Sequence, residues 1–190
     1  MIFEIDHPLF YYEHLLDSTD NLQLIKDFAV RERSAFGLEL YLKQYAENDE
    51  NEHQNSTYLV KDKKTKEIVG YFTLKTALFT IGIEGTEYFD SIPSVELSNF
   101  AVNSLYRVKH PEVKEIGKTV LTSFVVPIIK YIRNFVAVKA LYIYALPEEK
   151  LIQHYESLGF KRLSSEEEAF VHAHVKPKYD DGCIFMYQIL

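Results

Sequence analysis

Val95-Glu96-Leu97-Ser98-Asn99-Phe100-Ala101-Val102 is followed by Lys114-Glu115-Ile116-Gly117-Lys118-Thr119-Val120-Leu121, and later by His154-Tyr155-Glu156-Ser157-Leu158-Gly159-Phe160. The first run carries Leu97, Phe100 and Val102 and reads as a central strand. The second opens a helix. Gly117 stands at its start, and Val120, Leu121, Phe124 and Ile128 recur at helical spacing behind it. A strand feeding a glycine-marked helix start is a ready anion site, because the first N–H groups of a helix have no internal partner and carry partial positive charge. The third run ends a second helix with Tyr-x-x-x-Gly-Phe and so supplies a positioned phenol.

On the C-terminal side of this segment, Ala140–Leu146 reads as a buried strand. Pro147 suits a first helical position, and Glu148 and Glu149 favour a helix N-terminus. Leu151, Ile152, Tyr155 and Leu158 then form an inward stripe, with Gly159 as a left-handed stop. Pro127 interrupts the helical stretch Gly117–Val136, which predicts a bend or two pieces. Gly182–Leu190 reads as a final strand.

On the N-terminal side, Ile2–Ile5 reads as a short edge strand, and Asp20–Phe28 and Leu38–Ala46 as helices. The polar run Glu47–Ser56 reads as a loop. Thr57–Val60 and Ile68–Leu74 form a hairpin across Asp62-Lys63-Lys64-Thr65-Lys66, and a third pairing segment is expected near Ala77–Ile83.

The chain has 190 residues, so one domain over 1–190 is expected. Hydrophobic content of 47% and charged content of 26% describe an ordinary globular protein. The formal net charge of −7 argues against a broad phosphate-backbone interface, so a nucleic-acid partner is not expected. Cys183 is the single cysteine, which excludes an intramolecular disulfide framework and fits a reducing compartment. Met1–Asp6 does not read as a signal peptide, and no apolar run approaches the ~20 residues that span a bilayer. A cytoplasmic protein without membrane attachment is expected.

The order from Val95 to Phe160 resembles the GNAT superfamily of acetyl-coenzyme A-dependent N-acetyltransferases. Phe100-Ala101-Val102 looks like the end of the central strand that holds the pantetheine arm. Lys114-Glu115-Ile116-Gly117-Lys118-Thr119 looks like the Gln/Arg-x-x-Gly-x-Gly/Ala pyrophosphate loop. Tyr155 with Gly159-Phe160 looks like the late helix motif, and Gly70 matches a common glycine of an early strand. The likeness covers the second half of the chain well and the first half loosely. Lys114 and Thr119 depart from the usual residues, Ser104–Val113 is a longer link than usual, and Glu148 stands where an Asn is frequent.

The resemblance implies a mixed, mostly antiparallel sheet with splayed central strands and helices on both faces. It implies acetyl-CoA as co-substrate, no metal, and direct attack by a primary amine in a ternary complex. It places the cofactor on Phe100, Ala101, Val102, Lys114, Ile116, Gly117, Lys118 and Thr119. The acceptor is an amine-bearing small molecule or protein, and a homodimer is possible. Glu96 is the matched general base and Tyr155 the matched partner of the departing sulphur. The Phe100 N–H is the matched oxyanion donor. Two other readings stay open: a toxin of the same superfamily that acetylates the amino acid on charged tRNA, and a non-catalytic acyl-CoA-binding or sensing module.

Other features carry less chemistry. His172-x-His174 would put two imidazoles on one strand face, without a metal-ligand set. His154 and His110 read as surface residues, Glu166-Glu167-Glu168 as a solvated turn and Cys183 as strand packing. Tyr11, Tyr12, Tyr41 and Tyr45 read as core in preference to a substrate wall.

Overall fold

The computed structural model of the protein describes residues 3–174 and 182–190. Strand β1 (Phe10–His14) leads to helices α1 (Thr19–Leu24), α2 (Phe36–Gln44) and α3 (Ala46–Asn51), then to strands β2 (Ser56–Asp62), β3 (Ile68–Gly82) and β4 (Phe89–Val102). Helices α4 (Ser104–Lys109), α5 (Ile116–Val120) and α6 (Val126–Ile132) follow. The chain continues through β5 (Ala140–Ala145), α7 (Glu149–Ser157), β6 (Lys161–Arg162), α8 (Ser165–His174) and β7 (Ile184–Ile189). The strands form one sheet in the order β1-β2-β3-β4-β5-β7-β6. The β1/β2, β2/β3, β5/β7 and β6/β7 pairs are antiparallel and β4/β5 is parallel. This is the mixed, mostly antiparallel sheet expected.

The chain divides into two compact units, Met1–Lys75 with Ser98–Tyr131, and Thr76–Leu97 with Ile132–Leu190. The first is built on Leu15, Ile25, Phe28, Leu42, Leu59 and Tyr71, which exclude water together with Ala101. Lys61 lies buried in it, and its ammonium donates to Glu13 Oε1 at 2.5 Å and to the Asn21 side chain. A buried cation is tolerated when paired in this way. The second unit is built on Phe79, Ile92, Ala140, Tyr142, Val171 and Phe185.

Local chemistry explains the elements that shape the site. At the β2–β3 turn, Asp62 Oδ1 accepts from the N–H groups of Lys64 at 2.7 Å and Thr65 at 2.9 Å, and Lys66 takes φ = 65°. An aspartate that bonds the backbone ahead of it is a turn former. In the ladder beyond, Val60 pairs with Gly70 and Lys61 with Ile68, so Val69 is left opposite no residue of β2. Such a bulge frees a backbone group, and the Val69 carbonyl accepts from Asn103 N–H at 2.9 Å.

Between α5 and α6 the chain widens into a π turn over Leu121–Val125. Pro127 follows at once. It offers no N–H to the carbonyl four residues back, and its ring would crowd that carbonyl, so a widened turn relieves both problems. The interruption expected at Pro127 therefore falls just ahead of it.

Several expectations are corrected. Residues 3–5 of the expected Ile2–Ile5 strand are not in a strand, and Ile2 lies outside the described residues. The run read as the loop Glu47–Ser56 contains α3, which tertiary bonds hold: Asp49 accepts from the Tyr41 hydroxyl at 3.1 Å and from Asn55 Nδ2 at 2.7 Å. The segment near Ala77–Ile83 is the continuation of β3, with no break after Leu74. Pro147 stands before the N-cap Glu148 and outside α7. Glu166, Glu167 and Glu168 open a helix in place of a turn, because Ser164 and Glu167 cap it reciprocally. His172 also lies on this helix, so the pair His172 and His174 is not on a strand face; the His174 side chain lies outside the described residues.

Candidate active site

The C-terminal end of β4 is fixed by Asn103. Its side chain caps α4 by accepting from Leu105 N–H at 3.1 Å, and it donates to the Ile68 carbonyl at 2.8 Å. Its Oδ1 also accepts from Ala29 N–H at 3.4 Å, and Ser104 N–H donates to the Ala29 carbonyl at 2.8 Å. One buried amide thus ties the strand end to β3 and to the segment after α1. Against β3 the fit is close: a Cβ on Gly70 would lie 2.8 Å from the Ala101 carbonyl oxygen. Only glycine admits that approach. Phe100, Ala101 and Val102, the expected pantetheine-binding residues, sit on this anchored strand end. Ser98 lies on it too, with its hydroxyl enclosed and without a partner among the described residues.

The expected phosphate loop is a helix start without a side-chain cap. Glu115 occupies the N-cap position in the left-handed region, φ = 52°, and its side chain makes no capping bond. Thr119 N–H closes on the Glu115 carbonyl at 2.9 Å. The N–H groups of Ile116, Gly117 and Lys118 precede that bond and have no partner within the helix, the usual state of helix-start donors that an anion can meet. Ile116 is buried and anchors the turn, while Lys114 is exposed. Lys118 lies 3.4 Å from Glu115 Oε1 on the surface, a weak ion pair that a phosphate can displace. A helix start with three N–H groups lacking intrahelical partners, a glycine among them and a lysine beside it fits a pyrophosphate.

Glu96 lies on β4 in the second unit, half-buried, in ladder register with Tyr142 of β5. The Tyr142 hydroxyl donates to Glu96 Oε2 at 3.0 Å. The β4/β5 ladder comprises three pairs, Ser94 with Ala140, Val95 with Leu141 and Glu96 with Tyr142, so Glu96 stands at its end.

Tyr155 lies on α7 and is 3% exposed, its ring against Phe160 with centroids 5.4 Å apart. Burial pushes its phenol above the usual value of 10.0. The helix stops after it as expected. Gly159 takes φ = 91°, and a side chain there would strike Gln188, whose Nε2 donates to the Leu158 carbonyl.

His110 was expected to be exposed. It is instead clamped: its Nε2 lies 2.8 Å from Glu67 Oε2, and Lys109 reaches the same carboxylate at 2.6 Å. Beside them the Tyr106 hydroxyl donates to Asp62 Oδ2 at 2.6 Å. These bonds tie the segment that leads into the phosphate loop to the β2–β3 turn. Hydrogen bonding by Lys109 and His110 holds the Glu67 carboxyl down to about 2, and the bond to Glu67 raises His110.

The glutamate contribution is present above its ordinary 4.5 and is lost as pH falls toward 2. The histidine contribution is complete below 6.5 and is lost as pH rises through the raised value. Thermal melts of the parent and Glu67→Gln should therefore differ most between about pH 4.5 and 6.5. The gap should narrow on both sides, less on the alkaline side, where Lys109 stays charged.

Asn103, Tyr142 and Glu67 were not singled out from sequence. An Asn directly after a strand and before Ser-Leu-Tyr is a helix-cap signal that could have flagged the first. Nothing local announces the other two, whose partners lie 46 and 43 residues away in the chain. Among the described residues no His, Cys, Asp and Glu group could hold a metal ion, and no helix is long and apolar enough to cross a membrane.

No protein-family model matches the sequence, and no curated protein does. Solved structures match over nearly the whole length. A tyrosine-to-phenylalanine mutant of the toxin AtaT aligns with a TM-score of 0.69 at 20% identity, over 100% of this chain and 94% of that one. A tyrosine-to-phenylalanine mutant of KacT aligns with a TM-score of 0.67 at 18% identity, over 95% of each chain. AtaT complexed with acetyl-methionyl-tRNAfMet aligns at 0.62 and 22% identity, over 83% of this chain and 91% of that one.

The fold is GNAT-like. Other structures of the group hold AcCoA or the C-terminus of the antitoxin AtaR. In this GNAT-like chain the anchored strand end and the expected phosphate loop belong to the first compact unit, and Glu96 and Tyr155 to the second.

Proposed function

We propose that the protein is an acetyl-CoA-dependent N-acetyltransferase whose acceptor is the amino group of an aminoacyl-tRNA. The observation that carries the first half is the helix start at Glu115, which has no side-chain cap and leaves the N–H groups of Ile116, Gly117 and Lys118 without intrahelical partners. The second half is supported by the fold neighbours: they are toxins, and one is complexed with acetyl-methionyl-tRNAfMet. Against it stands the net charge of −7. That charge is unevenly spread: on the β2–β3 turn, α4 and residues 110–118, Lys63, Lys64, Lys66, Arg107, Lys109, Lys114 and Lys118 outnumber Asp62, Glu67, Glu112 and Glu115. These cations could meet phosphates locally in spite of the acidic balance. The broader reading, any primary amine, is kept for the case in which tRNA fails.

Acetyl-CoA supplies the acetyl group already activated as a thioester. Ile116, Gly117 and Lys118 N–H groups and the Lys118 ammonium hold its pyrophosphate, and the strand end Phe100–Val102 holds its extended arm. The Phe100 N–H donates to the acetyl oxygen as negative charge grows there. Glu96 takes a proton from the entering ammonium, directly or through water, so that the nitrogen lone pair can form the C–N bond as the C–S bond breaks. Nitrogen loses two protons overall. One is balanced by sulphur leaving as a thiol, and the other passes to solvent. The raised Tyr155 phenol is a weaker acid than a thiol near 8.5, so it keeps its proton and hydrogen-bonds the departing sulphur.

Titration calorimetry with acetyl-CoA tests the first half. Saturable binding that weakens by at least about tenfold in Gly117→Asp is expected, since an added carboxylate would face the phosphates. Absence of binding to acetyl-CoA and CoA would overturn the enzyme reading. Aminoacylated tRNA, free amino acids and polyamines, each offered with acetyl-CoA under thiol detection, then separate the acceptor classes.

A further inference from the structure

We propose that Tyr142 is a positioning residue for acetyl transfer: its hydroxyl fixes the Glu96 carboxylate so that the second oxygen faces the entering amine. This rests on the reading of Glu96 as proton acceptor. The two residues are ladder partners on adjacent parallel strands, and the hydroxyl donates to Glu96 Oε2 at 3.0 Å. Tyr142 is itself closely packed. It is 2% exposed, edge-on to Phe79 with centroids 5.9 Å apart and tilted against Phe185 at 5.1 Å. A phenol clamped on two sides has one direction in which to point its hydroxyl, and that direction ends on the carboxylate.

The charge logic agrees. Burial first, and the neighbouring Glu96 second, hold the Tyr142 phenol above 10.0, with Tyr144 adding to the same trend. The hydroxyl therefore keeps its proton at any working pH and is a permanent donor. A carboxylate offers about four lone-pair directions on two oxygens. With Oε2 engaged by Tyr142, the carboxylate plane is set and Oε1 is left for an ammonium. Without the hydroxyl, Glu96 is a half-buried side chain with several rotamers, of which few present an oxygen to the same place.

A double-mutant cycle on acetyl transfer to a pool of aminoacylated tRNA reads this directly. Tyr142→Phe should lower kcat by about tenfold to a hundredfold with the acetyl-CoA dissociation constant unchanged. Glu96→Gln should lower it further, and the double variant should be no slower than Glu96→Gln, because the hydroxyl acts only through the carboxylate. Glu96→Asp probes the same contact from the other side by withdrawing the carboxylate one methylene, and should resemble Tyr142→Phe. A crystal structure of Tyr142→Phe should show the Glu96 carboxylate displaced.

Losses that add in the double variant would reveal a purely structural tyrosine and overturn the proposal, as would an unmoved carboxylate. Undiminished turnover in Glu96→Gln would overturn the base reading and this proposal together. Undiminished turnover in Tyr142→Phe, with Glu96→Gln impaired, would overturn this proposal alone.

Discussion

Tyr155→Phe should fold like the parent, bind acetyl-CoA with unchanged affinity, and transfer acetyl groups about 10²- to 10³-fold more slowly. The substitution removes one oxygen from a residue that is 3% exposed and already lies against Phe160, so the packing of α7 loses nothing in volume. The cost falls on the transition state. On the proposed mechanism the departing sulphur carries growing negative charge, and a fixed donor within a protein is worth more there than in water. Because the phenol keeps its proton, its donation should not titrate, and the pH dependence of the residual rate should match that of the parent. Rapid-quench measurement of thiol release separates this chemical step from product release. Full turnover in the variant would remove Tyr155 from the mechanism.

Gly70→Ala should be strongly destabilising for a single added methyl. Its Cβ would stand 2.8 Å from the Ala101 carbonyl oxygen and 3.5 Å from the Val102 Cα. Both are main-chain atoms, so no rotamer change relieves the contact. Overpacking of this kind costs about 1–3 kcal/mol, and the displaced strand end also strains the Asn103 bonds to Val69 and Ile68. A melting temperature lower by roughly 2–12 °C is expected for a protein of this size. The same displacement moves Phe100 and its N–H, so acetyl-CoA should bind more weakly even in the folded fraction. Gly82→Ala is the control, because a Cβ there meets nothing within 4 Å. Equal melting temperatures for the two variants would refute the close-approach argument.

How much of this was legible in the sequence depended on whether the cause was local. The hairpin at Asp62, the strand ending at Val102, the helix start at Gly117 and the stop at Gly159 all follow from residues that act on their immediate neighbours. The failures share the opposite origin. Helix α3, Ala-Glu-Asn-Asp-Glu-Asn, has no apolar period to read, and its hold comes from Tyr41, Asn55 and the Thr57 N–H that Glu50 accepts. The second half of β3 reads as a separate segment because Lys75 and Thr76 break the apolar run without breaking the strand. In the candidate site, the residue types that could do chemistry were visible, but their holders were not. Asn103, Tyr142 and Glu67 act through partners that only the fold brings near.

The strand order also has a meaning for the ribosome. β7 is made after every strand it joins, yet it lies between β5 and β6 and pairs with both. Until residues 184–189 emerge from the exit tunnel, β5 lacks its antiparallel neighbour and the two-residue β6 has no partner to lie on. The second compact unit therefore closes late during synthesis, and with it the wall that carries Tyr142. A nascent chain would hold Glu96 long before it holds the finished surroundings of that carboxylate.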